Sequence, residues 1–309
     1  MPINRQVISY ALYLVGLLFV IYILRQAWPE LSAQLAQARF GFLAASTVAI
    51  GVHTLLGCLL LNRLFHAAGI AIGYGSTCRI FYLSQLAKYL PGVIWGFALQ
   101  ASLLQSENIM SKVVLANIRQ MLLTLSSFFF YALAIIFWKI SLPLALLLLV
   151  FSYPAIHLVR NFSFPRSITR QLARLAPSLS VLSDRDRDIE ASTLSILVLC
   201  LMLFASYLLG ISLMLLALYD ISVYAALELA VYQALAWVAG VLAFLVPAGM
   251  GVREAVFLLL GNLNGAFSPE QIQAMAIFTR TVQMVQDLLF SLLAVLLSSW
   301  FAASPPARK

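Results

Sequence analysis

Apolar residues in this chain run in long blocks, with polar residues gathered in the stretches between them. A block of roughly 20 apolar residues is the length that crosses about 30 Å of hydrocarbon as a helix. The blocks predict full spans near Val7 to Leu24, Phe40 to Leu61, Val113 to Trp138, Leu142 to Val159, Leu194 to Leu218 and Ile272 to Trp300. Two further apolar segments, Ile80 to Leu104 and Val223 to Leu260, are interrupted by proline and glycine. The interruptions read Leu90-Pro91-Gly92-Val93-Ile94-Trp95-Gly96 and Val246-Pro247-Ala248-Gly249-Met250-Gly251-Val252-Arg253-Glu254. Proline and glycine break helices, and opened backbone at membrane depth is tolerated only where protein or a wet cavity covers it. Ile80 to Leu90 would reach only about 16 Å as a helix. Each broken segment is therefore expected to be a re-entrant hairpin that enters and leaves by one face. The expected fold is all-α and integral to the membrane: about six full transmembrane helices plus two re-entrant hairpins, in one polytopic domain over residues 1–309.

Composition agrees with the pattern. The chain is 63% hydrophobic and 10% charged with a mean hydropathy of +0.98, outside the range of soluble domains. Its net charge of +8 is scattered among loops with no aromatic-interleaved basic face, which argues against nucleic acid and for the basic bias of cytoplasmic loops. The apolar run after Arg5 is too long for a secretory signal, and the A-x-A pattern at Ala36-Gln37-Ala38 lies far beyond its end, so an uncleaved first span is expected. Cys58, Cys78 and Cys200 lie in apolar stretches without metal or disulfide spacing, and His53, His66 and His157 are too dispersed to suggest a metal triad. No cofactor is expected.

The stretch between Arg160 and Glu190 carries Arg160, Arg166, Arg170, Arg174, Arg185 and Arg187, and residues 160–192 read as a cytoplasmic linker. That assignment puts Arg5, Arg63, Arg79, Lys112, Arg308 and Lys309 inside, leaves Arg25, Arg39 and Lys139 outside, and makes both termini cytoplasmic. It also exposes an internal repeat of span, broken hairpin, span over about residues 40–138 and again over 194–300, in opposite orientations. Inverted repeats of this kind mark alternating-access transporters. An arginine sits early in the span after each hairpin, Arg119 in Asn117-Ile118-Arg119-Gln120 and Arg280 in Phe278-Thr279-Arg280-Thr281.

The candidate site follows from the breaks. Freed N–H groups and the positive end of a half-helix favour an anion, and an arginine adds a bidentate grip on phosphate. At the first break Lys88, Pro91, Gly92 and Trp95 are candidates; at the second, Pro247, Gly249, Gly251, Arg253 and Glu254. Arg119, Arg280 and Asp287 are placed to line the same cavity. Ionisable residues at membrane depth are functional by default unless paired, so the competing reading is an Arg253–carboxylate pair that braces the hairpin. Gln85, Gln100, Gln233 and Gln283 are candidates for headgroup contacts or for glue between helices.

The stretch from Gly240 to Glu254, with its Pro-x-Gly-x-Gly-Val-Arg-Glu core, resembles the signature of the lysylphosphatidylglycerol synthase transmembrane-region family, the membrane part of the multiple peptide resistance factors. Lys88-Tyr89-Leu90-Pro91-Gly92 with Trp95 is similar to an earlier motif of that family, especially in stand-alone members associated with envelope polysaccharide synthesis. The resemblance implies a polytopic fold with two re-entrant hairpins, whose better-known members move modified phospholipids between leaflets. Those members also carry a soluble aminoacyl-transferring domain; residues 1–309 are all taken up by the membrane domain, and aminoacylation by this chain is not expected. The chain departs from the family where Phe97 follows Gly96, a place that is often acidic.

The expectation is a lipid translocase in a bacterial or archaeal cytoplasmic membrane, moving an anionic phospholipid or a polyprenyl-phosphate-linked glycolipid between the two hairpins. A homodimer and association with envelope-biosynthesis enzymes are compatible with it. The alternatives are a membrane-embedded lipid-glycan transferase, for which the chain offers only scattered acids, and a non-transporting scaffold for envelope enzymes. No G-x-S-x-G, Walker A or Rossmann motif is present, so the chain is not expected to be an enzyme.

Overall fold

The computed structural model describes residues 5–89, 94–104, 109–160, 192–243, 249, 251–265 and 267–296, and every element among them is helical. In chain order these are α1 (Arg5–Leu35), α2 (Phe40–Ala67), α3 (Tyr74–Gln85), a 3₁₀ turn (Leu86–Tyr89), α4 (Ile94–Leu104), α5 (Ile109–Trp138), α6 (Leu142–Arg160), α7 (Thr193–Leu218), α8 (Val223–Leu242), α9 (Val252–Asn264) and α10 (Pro269–Leu296). Five of them, α2, α5, α6, α7 and α8, are long and apolar enough to cross a membrane. The chain is a multi-pass membrane protein.

Four of the six blocks expected as full spans are in that group. The other two form long helices of different character. Helix α1 carries a shorter apolar stretch at Tyr13–Gln26. Helix α10 has a span's length at 28 residues, but Glu270, Arg280 and Asp287 lower its hydropathy. The two broken segments also differ from each other. In the first, both arms are short, 12 residues in α3 and 11 in α4. In the second, α8 runs for 20 residues, about 30 Å, and is long and apolar enough to cross alone. The helix continues this far because its first proline is Pro247 and because Gly240, the one glycine late in it, is held by packing described below. Only the arm α9, at 13 residues, is short.

Lipid tails are as apolar as leucine, so helices in a membrane are held by close packing of small residues and by hydrogen bonds between them. The α2–α7 contact uses both. A side chain added at Gly210 would stand 2.7 Å from Ile50 Cγ1, and Ser46 Oγ donates to the Gly210 carbonyl at 2.7 Å. The centre of the molecule is aromatic: the Phe128 ring of α5 lies 5.1 Å from Phe204, 5.2 Å from Tyr207 and 5.2 Å from Trp237, which joins α5 to α7 and α8. In the first broken segment a buried polar relay ties three helices. Asn117 Nδ2 donates to Gln100 Oε1 at 2.7 Å, and Gln100 Nε2 donates to Ser84 Oγ at 3.0 Å. Gln100 and Asn117 are thus glue between helices. Helix α1 closes over this segment with Gly16, where a Cβ would meet the Leu86 carbonyl oxygen at 2.9 Å.

Packing between elements is reciprocal. Helix α5 packs on α8 while α10 packs on α3, α4 lies against α5 as α9 lies against α10, and α2 and α7 pair with each other. Ion pairs bind one end of the bundle. Arg39 Nη2, before α2, donates to Asp220 Oδ1 at 3.0 Å and to the Tyr219 carbonyl at 3.0 Å. Lys139, after α5, donates to Glu228 Oε1 at 2.7 Å and sits 4.7 Å over the Tyr224 ring. The bond to Glu228 raises the Lys139 ammonium above its usual range.

Candidate functional site

The second motif folds as its residue types require. Gly249 and Gly251 have φ of 68° and 82°, left-handed values that glycine adopts without strain. They turn the chain into the N-terminus of α9. A Cβ at Gly249 would lie 2.8 Å from both Cα and O of Gly240, so the turn presses its backbone against α8. The side chain of Arg253 passes across the same glycine: a Cβ at Gly240 would collide with its Cγ and lie 2.6 Å from its Nε. Gly240 is what lets the turn and the arginine both come so close to α8.

Glu254, one residue on, is fully engaged. Its Oε2 accepts the Gly251 N–H at 2.6 Å, capping α9, and its Oε1 accepts from Arg280 Nη1 of α10 at 2.9 Å. The brace expected between Arg253 and a carboxylate is therefore formed by Arg280. Arg253 is left without one. Among the described residues it makes no salt bridge and no hydrogen bond, and its Nε is buried without a partner.

Arg253 borders a small cavity of about 10 Å³, the room of a single water molecule, lined also by Gln233 of α8, Glu254, and Ala276, Arg280 and Gln283 of α10. Gln233 is buried, and its Oε1 has no partner. Gln283 stands beside the Tyr207 hydroxyl. Because Arg280 and Glu254 offset each other, Arg253 supplies the uncompensated positive charge of the lining. A guanidinium next to a helix N-terminus and two amides has the donor chemistry that an anionic oxygen accepts from.

The first broken segment reaches this region through Tyr89. Its hydroxyl donates to Asp287 Oδ2 at 2.6 Å, and the charges of Arg253 and Arg280 act on it as well. Tyr89 is 5% exposed. Of the residues expected at the site, the structure thus brings together Gly249, Gly251, Arg253, Glu254 and Arg280, with Asp287 joined through Tyr89. Trp95 is exposed on α4, and Arg119 is buried in α5 without lining the pocket. Pro91, Gly92, Pro247 and the side chain of Lys88 lie outside the described residues.

Sequence reasoning did not single out Gly240 or Tyr89. Gly240 entered only as the first residue of the second motif's stretch, and its role depends on a segment returning to it. Tyr89 was legible only as a neighbour of the first break. Compared with known proteins, the chain matches no family model, no curated protein and no solved structure.

Proposed function

We propose that this protein is a lipid translocase that moves an anionic phospholipid or a polyprenyl-phosphate-linked glycolipid between leaflets, gripping the phosphate at Arg253. One observation carries the reading: a half-buried arginine whose Nε is buried with no partner among the described residues, bordering a polar pocket at the Pro/Gly break of a multi-pass membrane protein. Leaving a guanidinium N–H buried and unpaired costs stability, and such arrangements persist in membranes where an ion or substrate completes them.

The reciprocal packing supports an inverted repeat, with α2–α5 corresponding to α7–α10 and the two broken segments facing one region through Tyr89 and Arg253. Two repeats of this kind, rocking around a shared site, provide alternating access. The likeness of the two motifs to the lysylphosphatidylglycerol synthase transmembrane region points the same way. The chemistry asked of the protein is binding and release, with no bond made or broken.

The test is translocation of fluorescent phospholipids in proteoliposomes, read by chemical quenching of the outer leaflet. Protein-dependent translocation of an anionic phosphodiester lipid is expected, and Arg253→Ala should reduce it. Loss of a charge-assisted hydrogen bond of about 1.5 to 3 kcal/mol corresponds to roughly ten- to a hundredfold in affinity. Arg253→Lys keeps the charge without the fork and should fall between the two. Unchanged translocation by folded Arg253→Ala removes the arginine from the site, and no translocation of any anionic lipid by the wild type removes the function.

A further inference from the structure

Helices α2 and α3 meet in an antiparallel register fixed by polar contacts along their seam. Thr54 Oγ1 of α2 lies 3.0 Å from the Tyr82 hydroxyl of α3, and farther along Asn62 Nδ2 donates to Thr77 Oγ1 at 2.8 Å. Cys58 stands one turn after Thr54, and Cys78 stands one turn before Tyr82, so the register sets the two cysteines opposite one another. Their thiols hydrogen-bond each other, and Cys78 also hydrogen-bonds the Tyr74 hydroxyl, which donates to the Leu55 carbonyl at 2.8 Å. The sequence spacing of the cysteines gave no sign of this pair, because the contact depends on α3 folding back along α2.

Both thiols are free and buried, in a cluster with Tyr82 and with Ala294 of α10. Two sulfurs already in contact need only rotate about their side-chain bonds and close to about 2.05 Å to form a disulfide. Cys200 is packed in a different buried cluster and hydrogen-bonds Ser127, which makes it an internal control.

We propose that Cys58 and Cys78 are a peroxide-oxidisable pair whose disulfide fastens α3, the first arm of the first broken segment, to α2. Burial shuts bulky and charged oxidants away from the sulfurs; hydrogen peroxide is neutral and little larger than water. The Cys78 sulfur attacks one peroxide oxygen as its proton is lost, the O–O bond breaks, and that proton leaves with the departing hydroxide as water. The Cys58 sulfur then attacks the sulfenic sulfur, the S–O bond breaks, and a second water carries away the hydroxyl and the Cys58 proton. Two thiols are oxidised to one disulfide, and one peroxide is reduced to two waters. The same arm carries Ser84, the end of the polar relay to α4 and α5, and leads into the turn bearing Tyr89. The crosslink therefore stiffens the element on which the Tyr89–Asp287 contact is built.

The experiment treats the folded full chain, purified in detergent and freed of reductant, with hydrogen peroxide. Remaining thiols are blocked with N-ethylmaleimide in denaturant, and the proteolytic peptides are read by mass spectrometry. The wild type should lose two of its three thiols, with the Cys58 and Cys78 peptides joined, and a phosphine should restore both. Cys200→Ser should form the same crosslink, and Cys78→Ser should form none. The oxidised wild type should also unfold at a higher temperature than the reduced protein, since the crosslink restricts the unfolded chain. Retention of all three thiols by the folded wild type overturns the proposal without recourse to any variant. So does a disulfide to Cys200, or Cys78 passing to a sulfinic acid with Cys58 untouched. A Cys58–Cys78 disulfide that forms only after the chain is unfolded overturns the native pairing. A disulfide in the folded chain with no rise in unfolding temperature overturns the fastening of α3.

Discussion

Glu254 reaches past its sequence neighbour Arg253 to pair with Arg280 of the next helix, Oε1 to Nη1 at 2.9 Å. The same carboxylate caps α9 through the Gly251 N–H at 2.6 Å. One acid thus fixes the start of a short helix and its attachment to α10, and in doing so leaves the adjacent arginine uncommitted. The neighbours in the sequence are divided in their contacts: Glu254 braces, and Arg253 borders the pocket.

This division predicts how variants of Glu254 behave. Glu254→Gln keeps an oxygen for the cap but loses the charge opposite Arg280, and Glu254→Ala loses both. A lost N-cap costs about 0.5 to 2 kcal/mol, and a hydrogen bond between charged groups about 1.5 to 3. Thermal unfolding in detergent should therefore rank wild type above Glu254→Gln and that above Glu254→Ala. In a double-mutant cycle, Arg280→Ala combined with Glu254→Ala should cost less than the sum of the two. Strict additivity would show that the pair does not couple.

Gly240 gives a sharper contrast. A methyl there would strike the stem of Arg253, and the Gly240 backbone already lies 2.8 Å from where a Cβ at Gly249 would stand. Gly240→Ala should destabilise by about 1 to 3 kcal/mol, the usual cost of overpacking. Gly41→Ala, in α2 with nothing within 4 Å of the added carbon, should be neutral or slightly stabilising. Equal melting temperatures for the two variants would refute the close approach.

Most of the helical plan was legible in the sequence because membrane helices are written as hydropathy. The expected starts at Phe40 and Leu142 and the ends at Trp138 and Leu218 match helix bounds of α2, α6, α5 and α7. In the second broken segment the reading followed the proline, and the helix before it is long and apolar enough to cross. Val223–Leu242 was taken into a hairpin because Pro247 follows it, yet a helix is broken by a proline only near that proline, and α8 has its full length before it. At the site, the residue types were readable and the pairing was not. Arg253 and Glu254 are adjacent, which invites a pair, but adjacent side chains on a helix do not face each other. Arg280, far along the chain, is the partner that packing supplies. The orphaned amide of Gln233 has no counterpart in a sequence at all, since it is defined by what its neighbours fail to offer.

Topology is open to a direct test. Arg39 pairs with Asp220 beyond the end of α7, which the charge pattern places outside, while the basic stretch around Ser178 is placed in the cytoplasm. With the buried Cys58, Cys78 and Cys200 replaced, a cysteine at Asp220 should react with an impermeant thiol reagent only from outside the cell. One at Ser178 should react only after the inner face is opened. Labelling of both from the same side would require an even number of crossings between them and would overturn the proposal of an inverted repeat.

The contact between Tyr89 and Asp287 is where the first broken segment meets the last helix, at 2.6 Å. Tyr89 sits at the end of the 3₁₀ turn that Gly16 of α1 holds in place, and the charges of Arg253 and Arg280 act on its hydroxyl. If the halves of the protein move against each other around the pocket, this bond is among those that must break. Tyr89→Phe removes the bond and keeps the ring, so it should destabilise the state described here by about 1 to 2 kcal/mol, the upper range for hydrogen bonds between membrane helices. Two measurements distinguish a latch from a simple brace. A latch variant melts lower but translocates faster, because the closed arrangement is selectively weakened. A brace variant melts lower and translocates more slowly, as the site loosens. Tyr22→Phe, exposed on α1 and accepting only within its own helix from Gln26 among the described residues, serves as the control for losing a tyrosine hydroxyl that joins no two segments. A Tyr89→Phe protein with wild-type melting and wild-type transport would show that the bond contributes to neither.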